Sequence, residues 1–291
     1  MSRLAVIGHI TKDRITTPHG FKEMPGGTAF YFSHALQKLN ESLNLITKAS
    51  NNDLHLLETI DRKIVNLSFL SSLKTTTFEN IYPDQSDHRK QLVHEIAEPF
   101  SLKDIQDANF DLVHLGALTC HDFSPEFIIE LSRNSRISLE IQGFLRSIKN
   151  GEVEYRNWDQ RETVLPFVHV LKANEDEATI LTGESNIHDA AQWIAARGVQ
   201  EVVITMGSKG SMVLCQGKFY EIPAFPPHTL VDATGCGDTY MAGYLYQRNR
   251  STDVSQSGIF AAAMATIKLE KFGPFSGDEI TIQQLVKDTG R

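Results

Sequence analysis

Short apolar runs alternate with amphipathic stretches along most of the chain. In the stretch GGTAFYFSHALQKLN, the apolar residues Phe32, Leu36 and Leu39 fall on one helical face. The runs between such stretches have the length and continuity of strands buried on both faces, as in RLAVIGHI, LVHLGAL, ISLEI, FVHVLKA and EVVITMG. Strands that alternate with helices are typical of a parallel sheet with helices on both sides. The pattern therefore predicts an α/β fold with a doubly wound, mostly parallel sheet.

Capping signals indicate where several elements begin and end. Ser124 and Pro125 open SPEFIIELSRN, where an N-cap and a first-turn proline are favoured. Acidic residues begin NEDEATILTG, and Gly183 ends it in the way that helices commonly stop. SMVLCQGKFYEI instead predicts a hairpin that turns at Gln216-Gly217. We expect the chain to end with a helix in SGIFAAAMATIKLEKFG, followed by a polar tail.

Residues 75–96 interrupt the alternation of strands and helices. The segment TTTFENIYPDQSDHRKQLVHEI is polar and threonine-rich, with strand-like ends around a loop. Two interpretations are open, a small β lid over an active site and a long surface hairpin. The remaining sequence contains neither repeats nor a linker. The sequence thus predicts a single domain over residues 1–291, with a lid segment around 75–96.

Composition narrows the classes of partner and compartment. The 291 residues carry a formal net charge of −8, and no polybasic run appears, which argues against nucleic acid or an anionic membrane as a partner. We find neither a signal peptide nor an apolar run of the length that a membrane span needs. The three cysteines are widely spaced and odd in number, which predicts reduced thiols in a cytoplasmic protein rather than a disulfide frame or a zinc site.

The most informative motif is DATGCGD, residues 232–238, here called the glycine turn. Glycine allows close approach of the backbone to a ligand, and the helix that follows offers unpaired N–H groups to an anion. Asp238 beside such a site has the chemistry of a base that takes a proton from a nucleophile. A purely structural tight turn is the alternative. A dinucleotide-binding fingerprint would need a third glycine where Tyr240 stands, and no Walker A loop occurs.

Together with PGGTAFYFSHALQKL, KANEDEATILTG and ITMGSKGS, in this order, the glycine turn closely resembles the ribokinase-like (PfkB) family of carbohydrate kinases. The resemblance extends from Gly8 to about Gly273. It is nearest to the inositol-kinase-like branch, on LEIQGFLRSIKNGEVEY and VLKANEDEA. The glycine-pair signature is matched only partly. A ribokinase would continue it with Lys-Gly-Ala-Asn, whereas this chain has Thr-Ala-Phe-Tyr after Gly27, which argues against ribose as the substrate.

The resemblance implies roles for the donor side of the site. Asp238 would be the catalytic base, and the backbone amides of Gly235, Cys236 and Gly237 would form the anion hole. ATP and Mg²⁺ would be the cofactors. The residues implied to bind them are Asn174 and Glu177, with magnesium held at Glu177 through water, and the nucleotide loop of Thr205, Gly207 and Gly210.

Simpler interpretations of these donor-side residues stay open. Glu177 belongs to an acid-rich first turn that would stabilise its own helix. Gly207 and Gly210 are also consistent with an ordinary turn after a strand. Lys172 is interpreted as a solvated charge at a strand edge. The resemblance further implies that Asp232 holds either the glycine turn itself or a nearby monovalent cation.

On the acceptor side, the resemblance implies a set of residues that bind substrate hydroxyls: Asp13, Gly26, Gly27, Thr28, Gln142 and Arg146. A carboxylate accepts hydrogen bonds, a guanidinium donates them and an amide does both, which suits a polyol. If a helical turn follows Glu140, then Gln142 and Arg146 lie on one face of it. The alternative is that Arg146 pairs with a surface acid and Gln142 caps a loop.

We therefore expect an ATP-dependent, magnesium-requiring kinase that phosphorylates a hydroxyl of a small sugar or polyol such as myo-inositol. The expected assembly is a monomer or a homodimer. A nucleoside kinase of the same fold is the first alternative. A non-catalytic sugar-sensing protein is another, although such a protein would be expected to lose Asp238 or the glycine turn. A dinucleotide-dependent oxidoreductase is disfavoured by the missing third glycine.

Overall fold

The computed structural model describes residues 3–18, 20–81, 90–105 and 109–290. Its strands are β1 (Leu4–Gly8), β2 (Thr11–Thr17), β3 (Gly20–Gly26), β4 (Leu43–Ser50), β5 (Val65–Ser72), β6 (Thr77–Ile81), β7 (Lys90–Glu95), β8 (Leu112–Gly116), β9 (Arg136–Glu140), β10 (Arg146–Lys149), β11 (Glu152–Tyr155), β12 (Val170–Asn174), β13 (Glu201–Thr205), β14 (Ser211–Cys215) and β15 (Lys218–Ile222). Its α-helices are α1 (Thr28–Lys38), α2 (Pro125–Ser132), α3 (Arg161–Val164), α4 (Glu175–Thr182), α5 (Ile187–Ala195), α6 (Cys236–Arg248), α7 (Val254–Leu269) and α8 (Glu279–Asp288). Short 3-10 turns cover Asn51–Leu57, Leu102–Ile105, Gln142–Leu145, Leu165–Phe167 and Gly207–Lys209.

The larger sheet has the strand order β15-β14-β13-β12-β9-β8-β1-β4-β5 across the described chain. Strands β13 to β5 of this order run parallel, and the β14–β15 hairpin adds two antiparallel strands at one edge. Alternate side chains of β1 pack into two different hydrophobic cores. Leu4 and Val6 pack with residues of α1, α6 and α7, whereas Ala5 and Ile7 pack with residues of α2, α4 and α5. The predicted doubly wound, mostly parallel sheet is confirmed.

The smaller sheet has the order β10-β11-β7-β6-β2-β3 within the described ranges. The segment 75–96 supplies β6 and β7, as predicted, and its residues 82–89 lie outside the described part of the chain. The sheet is nevertheless larger than the sequence suggested, because the hairpins β2–β3 and β10–β11 join it. Both hairpins are partly exposed on either face. Their strands therefore lack the apolar alternation by which a half-buried strand is recognised.

Most predicted element ends are confirmed. Ser124 caps α2, and Gly183 ends α4 in the left-handed conformation. Gln216 and Gly217 both have positive φ between β14 and β15, as a tight hairpin turn requires. The expectation of a polar tail is wrong, because α8 begins after the cap residue Asp278. Its one buried residue, Ile282, is too little apolar signal to indicate a helix from sequence.

Candidate active site

A cavity of about 800 Å³ lies where the carboxyl ends of the parallel strands face the smaller sheet. Ligands of open α/β sheets bind at this position. The cavity brings together ten of the residues predicted for the site: Asp13, Gly27, Thr28, Gln142, Arg146, Asn174, Thr205, Gly235, Gly237 and Asp238. The other predicted residues, Gly26, Glu177, Cys236, Gly207 and Gly210, do not line it.

The glycine turn leads directly into α6. Gly235 is the N-cap residue and has a φ of 77°, which favours glycine. A Cβ at Gly235 would also lie 2.3 Å from the ring of Tyr31, so no side chain fits there. Cys236 follows, but its N–H donates to the carbonyl of Ala233 at 3.2 Å and its thiol lies 3.9 Å from the carbonyl of Ala265. The backbone of the turn thus faces the cavity while the thiol points away from it.

Asp238 lies in the first turn of α6 and lines the cavity. Burial raises the pKa of its carboxyl, while Lys172, a hydrogen bond from the Thr28 hydroxyl, and Arg146 act to lower it. The net direction is upward. A buried carboxylate with a raised pKa is a stronger proton acceptor than one on the surface. Thr28, predicted to contact substrate, therefore also holds the predicted base.

Lys172 is not a solvated edge charge, and that interpretation was wrong. The side chain is buried, with Nζ 3.1 Å from Oε1 of Glu140 and 3.9 Å from Oε2 of Glu177. A Cβ on Gly237 would lie 3.1 Å from this Nζ, so the ammonium sits against the glycine turn. Burial alone would lower the pKa of Lys172, but the neighbouring carboxylates outweigh burial and raise it. A charged lysine in an apolar strand needs such partners, and Glu140, the nearer of the two, lies 32 positions earlier in the chain.

Glu140 is a carboxylate of the cavity that was not among the residues predicted for the site. It ends β9, lines the cavity and is buried. Burial raises the pKa of its carboxyl to about 8, although Lys172 opposes the rise. Its second oxygen, Oε2, is buried without a hydrogen-bond partner among the described residues. An uncompensated buried oxygen at a cavity wall is suited to contact a ligand, a metal ion or the water of a metal ion.

Asn174 and Glu177 form a complete capping box at the start of α4. The Asn174 side chain accepts from the N–H of Glu177, and the Glu177 carboxylate accepts from the N–H of Asn174, each at 2.8 Å. The amide of Gln142 donates to the other Glu177 oxygen at 3.1 Å. The helix-stabilising interpretation is therefore realised, and both oxygens of Glu177 already accept protein hydrogen bonds. Asn174 still lines the cavity.

Of the three residues predicted for the nucleotide loop, only Thr205 lines the cavity. Thr205 ends β13 and lines it. Gly210 has a φ of 101°, and a Cβ there would lie 2.1 Å from the carbonyl of Ile222. Gly207 has a φ of 56° with open space around its missing Cβ. The turn geometry thus accounts for Gly210, while binding of a nucleotide by this loop stays a prediction.

On the acceptor side, Asp13 lies on β2 with Oδ1 accepting from the Thr11 hydroxyl at 2.6 Å. A Cβ at Gly26 would lie 2.2 Å from Oδ2 of Asp13, so Gly26 leaves the space that this carboxylate occupies. Gly27 has a φ of 85°, and a Cβ there would lie 2.5 Å from the carbonyl of His9. The glycine pair therefore shapes the pocket around Asp13.

Gln142 and Arg146 both line the cavity, but not from one helical turn as predicted. Gln142 begins a 3-10 turn after β9, and Arg146 is already the first residue of β10 in the smaller sheet. The Arg146 side chain is buried, its Nη2 lies 3.4 Å from the hydroxyl of Tyr155, and its Nε has no partner among the described residues. Within those residues it forms no ion pair with a surface acid.

The cavity is also lined by Tyr31, Asn80 and Gln91, which the sequence did not single out. Tyr31 has a buried hydroxyl without a partner in the described chain. Burial raises its pKa, with the carboxylates of Asp13, Asp232 and Asp238 adding to the effect, so the hydroxyl stays a neutral donor. Asn80 and Gln91 are cross-strand partners on β6 and β7, joined by a 3.0 Å hydrogen bond between their amides. The sequence did contain a signal for Tyr31, because this tyrosine stands where a ribokinase would have the asparagine of Lys-Gly-Ala-Asn.

The described residues contain no cluster of three or more His, Cys, Asp or Glu side chains placed to hold a metal ion. They also contain no helix with the length and apolar content of a membrane span.

Comparison with known proteins identifies the family of this chain. The profile of the pfkB family carbohydrate kinases matches residues 1–280. A cytidine kinase of Thermococcus kodakarensis is 28% identical over 287 residues, which cover 95% of this chain and 99% of that protein.

Two solved structures are similar over nearly their whole length. One is a pyrophosphate-dependent kinase of the ribokinase family in complex with a pyrophosphate analog and myo-inositol, with a TM-score of 0.86, 26% identity and coverage of 98% and 99% of the two chains. The other is a pyrophosphate-dependent myo-inositol-1 kinase converted into a myo-inositol-3 kinase by two leucine substitutions, with a TM-score of 0.86, 25% identity and the same coverage. The chain thus belongs to the pfkB family of carbohydrate kinases and is a phosphotransferase that acts on a hydroxyl group.

Proposed function

We propose that this protein is a magnesium-requiring kinase that phosphorylates a ring hydroxyl of a cyclitol such as myo-inositol. The observation that carries the proposal is the buried Asp238 carboxylate at the start of α6, beside the glycine turn and within one cavity with Asp13 and Arg146. The chain acts as one kinase domain, and the smaller sheet is its lid.

Asp238 accepts the proton of the acceptor hydroxyl as the hydroxyl oxygen attacks the terminal phosphorus of the donor. The bond from that phosphorus to the leaving oxygen breaks in the same displacement. The N–H groups of Gly235 and Gly237 stabilise the charge on the transferring group, since they lie at the positive end of α6. The Thr28 hydroxyl keeps the Asp238 carboxylate oriented toward the acceptor.

Magnesium fits the donor side of the cavity through an oxygen of Glu140 and the side chain of Asn174. Glu140 has an oxygen without a described partner, whereas both Glu177 oxygens are occupied. Magnesium usually keeps several waters and needs only one or two protein groups in addition to phosphate oxygens. When bound, it neutralises charge on the donor phosphates. Glu177 is then a residue that positions Asn174 rather than a direct ligand.

The acceptor side favours a polyol because its recognition groups are hydrogen-bonding side chains. Asp13, Arg146 and the Asn80–Gln91 pair supply both acceptors and donors. In the myo-inositol kinase with altered product, the two residues replaced by leucine are an asparagine and a serine eleven positions later. Asn80 and Gln91 have the same separation. We propose that this cross-strand pair determines which ring hydroxyl faces Asp238.

The donor we propose is ATP, with pyrophosphate as a second candidate. ATP follows from the resemblance of Thr205, Gly207 and Gly210 to a nucleotide loop. Pyrophosphate is favoured because the two similar kinases depend on it. It is also favoured because Thr205 lines the cavity, while Gly207 and Gly210 do not.

The test is a matrix of reactions with purified protein and Mg²⁺. ATP and pyrophosphate are each paired with myo-inositol, ribose and cytidine, and the phosphorylated acceptor is detected by ³¹P NMR. We expect the highest kcat/KM with myo-inositol, and no product from the Asp238→Asn variant on the same timescale. Preferential phosphorylation of cytidine would make the protein a nucleoside kinase. Binding of myo-inositol without product from either donor would favour a sensor protein.

A further inference from the structure

A second buried lysine lies at the opposite end of the glycine turn from Lys172. Lys268 is in the last turn of α7, and its side chain is 0% exposed. Its Nζ donates to the backbone carbonyl of Asp232 at 2.8 Å and to Oδ2 of the same residue at 2.9 Å. An ammonium group thus bridges the carbonyl and the carboxylate of the first residue of the turn.

Asp232 is the residue through which the turn is held. Its Oδ1 accepts from the N–H of Thr234 at 2.9 Å, and its Oδ2 also accepts from the N–H of Gly273 at 3.1 Å. The N–H groups of Val231 and Asp232 donate to the carbonyl of Leu269 at 2.9 and 3.1 Å. The start of the glycine turn is therefore tied to the end of α7 by side-chain and backbone hydrogen bonds together.

A dissolved monovalent cation does not fit this arrangement. Such an ion is held by oxygen atoms such as backbone carbonyls, and at Asp232 the carbonyl and one carboxylate oxygen already bind the Lys268 ammonium. Burial acts to raise the pKa of Asp232, but hydrogen bonds from Lys268 and Thr234 outweigh it, and the pKa is lowered. The carboxylate is thus ionised and its charge is compensated from within the chain.

We propose that the Lys268 ammonium takes the place of a monovalent cation at the glycine turn, so that this protein positions its anion hole without dissolved potassium. Lys268 acts through Asp232 and is a positioning residue. The effect of Lys268 on turnover rests on the proposed kinase function, whereas its effect on the stability of the fold does not.

The first experiment uses the wild-type protein in potassium chloride and in tetramethylammonium chloride at equal ionic strength. We expect turnover in the two salts to agree within about twofold and the melting temperature to be the same, because no specific ion adds to the folded state. Activation by potassium of about tenfold or more, or a rise in melting temperature specific to potassium, would overturn the proposal.

The second experiment removes the ammonium. Lys268→Ala leaves a space at an unpaired carboxylate, and we expect kcat in tetramethylammonium to fall by about tenfold or more because the anion hole loses its alignment. Potassium or ammonium ions should restore turnover and raise the melting temperature of this variant. Lys268→Met fills the space without a charge and should respond to neither ion. Lys271→Ala, at an exposed lysine in the following loop, is the control and should match wild type.

The outcomes separate the two proposals. If Lys268→Ala keeps wild-type turnover and melting temperature in tetramethylammonium, or if it loses turnover that neither ion restores, Lys268 does not act as the cation. If no acceptor is phosphorylated by any form of the protein, the kinase proposal fails. The melting temperatures of the wild type and the variant in the two salts still decide the role of Lys268, and a variant too unstable to purify leaves that decision to the wild-type comparison.

Discussion

Lys172 and Glu140 form a buried ion pair behind the glycine turn, with Nζ of the lysine 3.1 Å from Oε1 of the glutamate. The lysine also lies against Gly237, so its charge is directed at the place where an anion would bind. The carboxylates of Glu140, Glu177 and Asp238 all raise the pKa of Lys172, so the lysine stays protonated in spite of its burial. The ammonium of Lys172 is therefore a positive charge held beside the glycine turn, where phosphate is expected to bind.

Replacing Lys172 by methionine tests this charge. We expect kcat to fall by about tenfold or more, since a cation beside the transferring group is lost. The unfolding free energy should fall by less than the about 3–5 kcal/mol typical of breaking a buried pair, because Glu140 can become protonated instead of staying charged. Denaturant unfolding at pH 7 measures the second effect. Lys209→Met, which removes an exposed partner of Glu175, is the control.

Two outcomes would contradict this account of Lys172. Wild-type turnover in a folded Lys172→Met protein would show that the ammonium has no part in phosphoryl transfer. A stability loss above about 5 kcal/mol would show that Glu140 stays ionised without its partner.

Asp238→Asn removes the base and preserves the shape of the side chain. General-base catalysis contributes typically ~10²–10⁴-fold, so kcat should fall by about that amount with little change in the donor KM. Steady-state kinetics in both substrates measure the two constants. Asp176→Asn, at an exposed acid in the first turn of α4, is a matched control that should keep wild-type values. Turnover close to wild type in the Asp238 variant would rule out Asp238 as the base.

The pH dependence of kcat/KM follows from the raised pKa of Asp238. The base works only when deprotonated, so activity should fall as the pH drops through that pKa, and the acid limb should lie above the ~3.9 of an ordinary aspartate. Thr28→Val removes a hydrogen bond that favours the charged form, so its acid limb should move to higher pH. A pH profile of both proteins measures this shift. An unmoved limb would mean that another group controls the acid side.

Cys236 and Gly235 are neighbours with opposite expected sensitivities. Burial raises the pKa of the Cys236 thiol to about 12, so it stays protonated at neutral pH even at a helix start. Cys236→Ala should therefore keep substantial activity. Gly235→Ala should lose most of it, because a Cβ would meet the Tyr31 ring in a backbone conformation with a φ of 77°. Activity assays on the two variants, with circular dichroism to confirm folding, make the comparison. A loss in Cys236→Ala as large as in Asp238→Asn would reveal a function of the thiol.

The sequence was sufficient to predict those parts of the fold that local sequence signals determine. The buried strands, the acid-rich start of α4 and its end at Gly183 all depend on residues within a few positions of one another. The glycine turn was recognisable because its residue types and order are unusual.

The features that the sequence did not predict depend on contacts between distant parts of the chain. The burial of Lys172 cannot be predicted locally, because its nearest charged partner, Glu140, lies 32 positions earlier. The spacing of Gln142 and Arg146 predicts a helical turn, but pairing with β11 makes Arg146 the start of a strand. Lys268 lies in the last turn of α7, and its contact with Asp232 spans 36 positions. Periodicity and motif spacing carry no information about such partners.

Arg146→Ala tests the acceptor side. The guanidinium is buried at the cavity, and its Nε has no partner within the described chain, so a substrate hydroxyl is expected to complete its hydrogen bonds. We expect the KM for myo-inositol to rise by about tenfold or more while the donor KM changes little, because a site built for hydroxyls is left with unmatched polar groups. Arg156→Ala, at an exposed arginine that does not line the cavity, is the control. If the acceptor KM stays unchanged in Arg146→Ala, or if a nucleoside remains the better acceptor in the wild type, the polyol assignment is wrong. The kinase chemistry at Asp238 is tested separately, because it depends on the glycine turn and not on Arg146.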